Sequence, residues 1–192
     1  MRPDKGPPVE LPAAAGRFHE WTDAGSVGRV KRTPFGEWPC SVARTVDVLG
    51  DWWTPLVLRE AYMGTRRFDG FQRNLGIGRN ILTQRLTRLV EEGILVRRPY
   101  QERPLRHEYL LTDKGRDLFA VIAAMKTWGD RWLAGDDGPP LAYHHTRCDH
   151  DMDAEVVCSH CGERLEVREV RALPGPGWPA DESWDAPRSD PA

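Results

Sequence analysis

The hydrophobic periodicity of this chain changes from helical to extended at Gly93, and this change restricts the fold more than any other feature. Before Gly93, apolar residues recur every three or four positions within short segments. After it, two extended runs surround Pro99 and Pro104, which is typical of an edge hairpin. We predict helices over 41–49, 54–63, 69–75 and 79–92, strands over 94–100 and 105–111, and a longer helix from 112 to about 135.

Local signals predict where these helices begin and end. Thr54 is the expected N-cap of the second helix because Pro55 follows it, and proline suits the first helical position. Gly93 suits the position after the fourth helix, where a left-handed backbone is common. The apolar residues between Leu56 and Met63 are expected to be largely buried. Three helices and a hairpin follow the winged helix-turn-helix order, so the predicted fold class is mainly α with a small β-hairpin wing.

Segments rich in proline and glycine flank this region. We expect residues 1–37 to form a flexible arm and residues 174–192 a disordered tail, because neither segment has apolar periodicity. Between them we expect a domain over 38–135 and a smaller module over 141–173. No apolar run is long enough to span a bilayer, and the basic start is followed by proline and glycine. We therefore expect a cytoplasmic protein without a membrane partner.

Positive charge is concentrated in the middle of the chain. The 192 residues include 27 Lys and Arg against 29 Asp and Glu. Between Arg29 and Arg116, however, 17 basic residues stand against 10 acidic ones, which gives this segment a net charge of +7 and the remainder −9. Such segregation predicts an anionic partner for the middle segment, most commonly nucleic acid. A solvated arginine-rich surface is the alternative that composition alone leaves open.

The predicted fourth helix carries base-reading side chains opposite its apolar face. Asparagine and glutamine can bond adenine through two hydrogen bonds, and arginine can bond guanine in the same way. The turn of the hairpin adds two cations where a wing would meet phosphate or the minor groove. Because charge, helix order and hairpin agree, we favour double-stranded DNA as the partner over a polar face that only contacts water. The predicted DNA contacts are Arg79, Asn80, Thr83, Gln84, Thr87, Arg88, Arg103 and Arg106.

Short motifs in this region match a known family in order and spacing. Over residues 38–134 the chain resembles the HxlR-type winged helix-turn-helix transcriptional regulators. The resemblance implies a homodimer on palindromic operator DNA, with the first and last helices of the domain forming the dimer interface. The matching motifs are Cys40-Ser41-Val42-Ala43, Leu49-Gly50-Asp51-Trp52-Trp53-Thr54, Leu58-Arg59-Glu60, Arg67-Phe68, Gly76-Ile77, Leu82-Thr83-Gln84-Arg85-Leu86, Glu92-Gly93-Ile94-Leu95, Glu108-Tyr109-Leu110-Leu111-Thr112 and Lys114-Gly115.

The last predicted helix supplies candidates for that dimer interface. Its apolar residues recur at three- and four-residue steps and form a stripe that is too apolar to face solvent. We expect this stripe to pack against its symmetry mate with help from the first helix. The predicted interface residues are Leu118, Ile122, Met125 and Trp132.

Two positions depart from the family pattern. Ser41 stands where a proline usually follows the cysteine, and Gly78 stands where a serine often precedes the recognition helix. In some members of the family, the thiol that matches Cys40 senses quinones, aldehydes or oxidants, and a position near a helix N-terminus favours the reactive thiolate. Cys40 is therefore a candidate redox-sensing thiol, with a small packing residue as the alternative.

Four potential metal ligands form two close pairs after residue 140. Two residues separate His145 from Cys148 and Cys158 from Cys161, and such pairs build the knuckles of a zinc ribbon. We predict a structural Zn²⁺ in a small zinc-ribbon-like module with short strands over 153–157 and 165–170. Three uncoordinated thiols are the alternative. The other candidates for the histidine ligand are His144, His150 and His160.

Together these features predict a DNA-binding transcriptional regulator that acts as a homodimer, with a small-molecule or electrophile effector as a further expectation. A zinc-ribbon adaptor that binds a protein partner through the acidic C-terminal half is the alternative. The sequence contains no nucleophile and base motif, phosphate loop or open metal set, so we expect no enzymatic activity.

Overall fold

Four helices and a hairpin enclose the core of the protein, which we describe from a computed structural model covering residues 38–179. The expectations for the arm at 1–37 and for the end of the tail fall outside the described residues. The elements are α1 (Ser41–Leu49), α2 (Trp53–Tyr62), α3 (Phe68–Leu75), α4 (Arg79–Glu91), β1 (Leu95–Glu102), β2 (Leu105–Leu111), α5 (Asp113–Asp117), α6 (Phe119–Leu133), β3 (Tyr143–His145) and β4 (His150–Met152), followed by a 3₁₀ turn at Val167–Glu169.

The core lies where α2, α3 and α4 meet the start of the hairpin. Phe71 of α3 and Leu82 of α4 are completely buried, and Ile94, just before the hairpin, belongs to the same core cluster. α6 adds Ile122, which is 6% exposed. Burying such side chains is worth about 1.5–3 kcal/mol each, so this cluster fixes α4 against the rest of the domain.

The start of α2 differs from the prediction. Thr54 is not the N-cap but a buried residue of the first turn. Asp51 does the capping instead, because its Oδ1 accepts hydrogen bonds from the backbone amides of Trp53 at 2.7 Å and Thr54 at 3.1 Å. Leu56 and Met63, which were expected to be buried, are 36% and 56% exposed, because Leu56 lies on the outer face of α2 and Met63 follows its last residue.

The wing is an antiparallel hairpin of β1 and β2. Leu95 pairs with Leu111 and Pro99 with His107, and the register shifts between Pro99 and Gln101. β1 continues to Glu102, two residues beyond the prediction, which leaves a shorter turn before β2. The backbone amide of Tyr109 also bonds the carbonyl of Arg66 at 2.7 Å, which attaches the wing to the segment before α3.

The predicted long helix is divided at Leu118 into α5 and α6. Thr112 caps α5, since its Oγ1 accepts the Gly115 amide at 3.1 Å. None of the helices over 38–179 has both the length and the apolar character needed to cross a membrane.

The C-terminal segment folds along α6 rather than as the predicted pair of strands. β3 and β4 pair with each other, with Tyr143 opposite Met152. The predicted strands over 153–157 and 165–170 are wrong: a single bridge joins Val157 to Arg164, and 167–169 form a 3₁₀ turn. The two segments bond each other only beside the turn, where the amides of Leu165 and Cys158 reach the carbonyl oxygens of Val156 and Glu163 at 3.0 and 2.8 Å. The backbone amide of Ala154 instead bonds Thr127 Oγ1 of α6 at 2.9 Å.

Candidate nucleic-acid interface

The outer face of α4 is polar and open to solvent. Arg79, Asn80, Thr83, Gln84 and Thr87 are all exposed. The opposite face buries leucines in the core, so the helix cannot rotate without exposing them. The structure therefore places five of the six predicted helix contacts on one accessible surface.

Arg88, the sixth, is engaged within the protein. Its Nη2 donates to the carbonyl oxygen of Asp47 at 2.8 Å and lies 3.3 Å from the Asp47 carboxylate. It also lies 3.8 Å from Glu92. One turn earlier, Arg85 forms an ion pair with Asp51 at 2.6 Å. These two arginines connect α4 to α1 and to the loop before α2, so a base contact by Arg88 would require it to leave these partners.

A groove of about 370 Å³ lies between the start of α3, the start of α4 and the wing. Four arginines line it: Arg67, Arg79, Arg97 and Arg106. Two of them, Arg79 and Arg106, belong to the predicted set, and Arg103 lies exposed in the turn of the wing. Arg67 and Arg97 were missed, although the paired arginines at 66–67 and 97–98 are a signal that could have drawn attention to them.

Aromatic rings orient the arginines of this groove without neutralising them. The Arg67 guanidinium lies 4.3 Å from the centre of the Tyr100 ring, and that of Arg79 lies 5.3 Å from the Phe68 ring. Arg97 contacts a ring nitrogen of His107 at 2.9 Å. The neighbouring Arg98, in contrast, is paired with Glu108 at 2.7 Å. Positive charge is thus concentrated in the groove next to the polar face of α4.

In this protein α3 and α4 pack on the core, and α4 exposes its polar face beside a basic hairpin. This arrangement defines the winged helix-turn-helix class of DNA-binding proteins. Residues 48–137 match the model of the HxlR-like helix-turn-helix family. The chain belongs to this family of transcriptional regulators. Its relatives are regulators rather than enzymes, which confirms the expectation that the protein has no enzymatic activity.

Similar proteins extend this match beyond the family region. Rv3095 of Mycobacterium tuberculosis, an uncharacterized HTH-type transcriptional regulator, is 48% identical over 140 residues, which cover 73% of this chain and 89% of the relative. The crystal structure of PA1607, provisionally assigned as a transcription factor, has 35% identity and a TM-score of 0.66 over 73% of this chain and 99% of its own. PA1374 from Pseudomonas aeruginosa has 36% identity and a TM-score of 0.52, over 71% and 93% of the two chains.

The structure divides the predicted dimer residues into two groups. Met125 and Trp132 are 50% and 62% exposed. Ile122 is buried within the protomer, and Leu118 packs half-buried against the same core. The apolar stripe of α6 is therefore divided: its inner side completes the core of the protomer, and its outer side is exposed on the surface of the protomer.

The predicted zinc ligands lie in two turns. His145 Nδ1 lies 3.1 Å from Cys148 Sγ. Backbone amides of Cys161 and His160 bond the thiol of Cys158 and hold its pKa below the ordinary value. Within residues 38–179, no three His, Cys, Asp or Glu side chains form a group that could hold a metal ion, so the zinc site stays a prediction.

The alternative histidines differ in availability. His144 uses both ring nitrogens, with Asp151 Oδ1 at 3.0 Å and Asp149 Oδ1 at 3.1 Å, and these bonds raise its pKa above the ordinary value. His150 contacts the carbonyl oxygen of Cys148 through Nδ1. Of His144, His145 and His150, the structure places only His145 against the thiol of Cys148.

Cys40 is exposed at the N-terminus of α1. Its Sγ accepts a hydrogen bond from the Ala43 amide at 3.5 Å and so serves as the side-chain cap of the helix. The accessible thiol does not have the buried environment of the packing alternative.

Proposed function

We propose that this regulator binds palindromic double-stranded DNA as a homodimer, with α4 in the major groove and the wing against the DNA backbone. The observation that carries the proposal is the groove lined by four arginines beside the exposed polar face of α4. Arginines next to such a face can bind phosphates and thereby position the helix, while Asn80 and Gln84 reach base edges.

A titration of selected DNA tests this assignment. An operator is first selected from a random duplex library, and binding is then measured at several salt concentrations. We expect Gln84→Ala to weaken binding to the operator by about 1–3 kcal/mol and to change binding to random DNA little. Arg97→Ala should weaken both and reduce the salt slope by about 1.

Arg98→Ala is the matched control, because it removes the neighbouring arginine that is already paired with Glu108. Its effect on binding should be smaller than that of Arg97→Ala. Equal losses for Gln84→Ala on operator and random DNA would make Gln84 a phosphate contact instead.

We infer that the dimer interface is formed by the outer faces of α1 and α6. Val42 and Val46 of α1 are 72% and 52% exposed, and Trp128 and Trp132 of α6 are 59% and 62% exposed. Exposed apolar side chains at this density on two helices are typical of a protein–protein contact. The buried Ile122 is excluded from this interface and replaced by Trp128.

We also propose one structural Zn²⁺ per chain, held by His145, Cys148, Cys158 and Cys161. The donor chemistry supports it, since three thiols and one imidazole suit tetrahedral Zn²⁺, and each turn already brings two donors together. Metal analysis of the purified protein should give one zinc, which Cys158→Ser should remove. Zinc that survives His145→Ala but not His150→Ala would overturn the ligand assignment.

The exposed Cys40 makes a reactive small molecule our proposed effector for this regulator. Alkylation or oxidation of the Cys40 thiol would remove the side-chain cap of α1, the helix that we place in the dimer interface. We expect a quinone to lower operator affinity in wild-type protein and not in Cys40→Ser. Equal responses of the two proteins would contradict the proposal.

A further inference from the structure

A second pocket shares no lining residue with the arginine-lined groove. It has a volume of about 280 Å³ and lies between α2, α6 and the segment that leads into β3. Its walls are mainly apolar and include Leu56, Ile122, Leu141 and Tyr143. This volume is slightly below the usual range for ligand pockets, roughly 300–1,000 Å³, so the pocket suits a small molecule. The proposed DNA contacts do not use it.

Three charged side chains line the same pocket. Lys126 forms an ion pair with Asp130, and its ammonium lies 4.9 Å from the centre of the Tyr143 ring. Arg59 donates from Nη2 to Glu60 at 2.9 Å. Each cation thus has a carboxylate partner, and Arg59 is the more accessible of the two, with its side chain 40% exposed against 14% for Lys126.

Arg59 also has donors that its own protein leaves unused. Its side chain is 40% exposed, and among the described residues its hydrogen bonding is confined to Nη2, which donates to Glu60, so Nη1 can bond an acceptor from outside. Hydrogen bonds from a charged donor are stronger than those from a neutral one, so such an acceptor would be held firmly. A carboxylate is the acceptor that matches a guanidinium in both charge and geometry.

We propose that this pocket binds a small organic acid, with its apolar body against Leu56 and Leu141 and its carboxylate at Arg59. The apolar walls favour an aromatic or branched body, and the unused donors of the Arg59 guanidinium favour a single carboxylate. Because α2 also forms part of the core beneath α4, the ligand is held by the element on which the recognition helix packs. Binding itself does not depend on the proposed DNA function, so it can be measured separately.

Calorimetric titration of the full chain with phenylacetate and with its neutral analogue phenylacetamide tests the proposal. We expect saturable binding of about one phenylacetate per chain, and binding of the amide at least about tenfold weaker because it lacks the charge that Arg59 recognises. Binding that is equally strong for both compounds would overturn the proposal. So would the absence of saturable binding at millimolar phenylacetate.

Two variants locate the binding site. Leu56→Trp should fill the pocket and abolish binding, whereas Ile81→Trp should leave it unchanged, because Ile81 is similarly exposed on a helix outside the pocket. Arg59→Gln should weaken phenylacetate but not phenylacetamide. Binding that persists in Leu56→Trp would overturn the proposal.

The competing occupant is a second copy of the chain, since Met125 lines the pocket and also lies on the outer side of α6. Phenylacetate binding that appears only in a monomeric variant would assign the pocket to the partner subunit and overturn the proposal. Binding of equal strength in dimer and monomer would support it.

Discussion

Gly115 occupies a position where no side chain fits. A Cβ atom there would lie 2.2 Å from the carbonyl oxygen of Ile94, which is backbone and cannot move aside. Gly115 also accepts the Tyr62 hydroxyl at 2.7 Å through its carbonyl oxygen, so the start of α5 is held against α2. We expect Gly115→Ala to lower the free energy of unfolding by about 2–3 kcal/mol, measured by urea denaturation.

Gly129→Ala is the control for this prediction. Gly129 lies in α6 and nothing stands within 4 Å of its ideal Cβ. The substitution should therefore raise stability by up to about 1 kcal/mol, as alanine is the better helix former. A neutral Gly115→Ala would show that the backbone at Ile94, just before β1, can yield.

Glu60 makes the stability of the domain depend on pH. Burial by itself would raise its pKa, but hydrogen bonds from Asn74, Arg59 and Thr65 and the charge of Arg59 lower the pKa below 4.5. A carboxyl whose pKa is lowered by folding stabilises the protein above its unfolded pKa, and this contribution is lost as the pH falls through the folded value. We expect Glu60→Gln to be less stable than wild type at pH 7, with the difference shrinking below about pH 4.5.

Urea denaturation between pH 7 and pH 3 measures this difference. Glu91→Gln changes an exposed glutamate of α4 and should show a small difference throughout. A Glu60→Gln difference that stays constant down to pH 3 would show that the carboxylate contributes nothing specific.

At the level of elements, α4 begins without a side-chain cap. Gly78 holds the N-cap position in an extended conformation, and nothing lies within 4 Å of its ideal Cβ. Both Gly78→Ser and Gly78→Asp should stabilise the protein by a few tenths of a kcal/mol, approximately, because each supplies a cap. Only the aspartate adds negative charge where DNA is proposed to bind, so it alone should weaken DNA binding. Equal DNA affinities for the two variants would place the start of α4 away from phosphate.

The helices were predictable where their signals are local. The bounds of α1 are confirmed, since its apolar periodicity ends at Gly50, whose left-handed backbone closes the helix. The N-cap of α2 was assigned wrongly because Asp51 and Thr54 are both good caps, and only the fold shows which one meets the free amides. The predicted strands after residue 152 did not form because the two segments pair only beside the turn, at Val157 and Arg164, and the Ala154 amide bonds a side chain of α6, a distant partner that periodicity does not reveal.

The candidate site was predictable to a similar extent. The periodicity of α4 separates its exposed face from its buried one, and this was enough to predict that Asn80 and Gln84 are exposed. The groove is a tertiary feature formed by three elements, so the sequence could not assign Arg67 and Arg97 to it. Nor could periodicity show that Arg88 turns toward α1.

At the scale of the whole molecule, the proposed dimer can be broken without disturbing the core. Val46 and Trp132 are both more than half exposed, so Val46→Asp with Trp132→Asp should give a folded monomer in sedimentation experiments. Operator binding should weaken when dimerisation is lost, because a monomer contacts only one half-site. Val96→Asp, at a similarly exposed position on the wing, should remain dimeric. Wild-type protein that is monomeric at micromolar concentration would defeat the idea.

The ion pairs of Arg85 and Arg88 limit which DNA spacings the dimer can accept. They fasten the recognition helix to α1 and to the loop that follows it through side chains that are less than one-third exposed. If α1 lies at the two-fold axis, the distance and angle between the two recognition helices are set by short, stiff connections rather than by a linker. One base pair inserted between the half-sites shifts them by about 3.4 Å and roughly a tenth of a turn. The protein should be unable to follow that shift, so its affinity for the altered operator should drop to that of a single half-site.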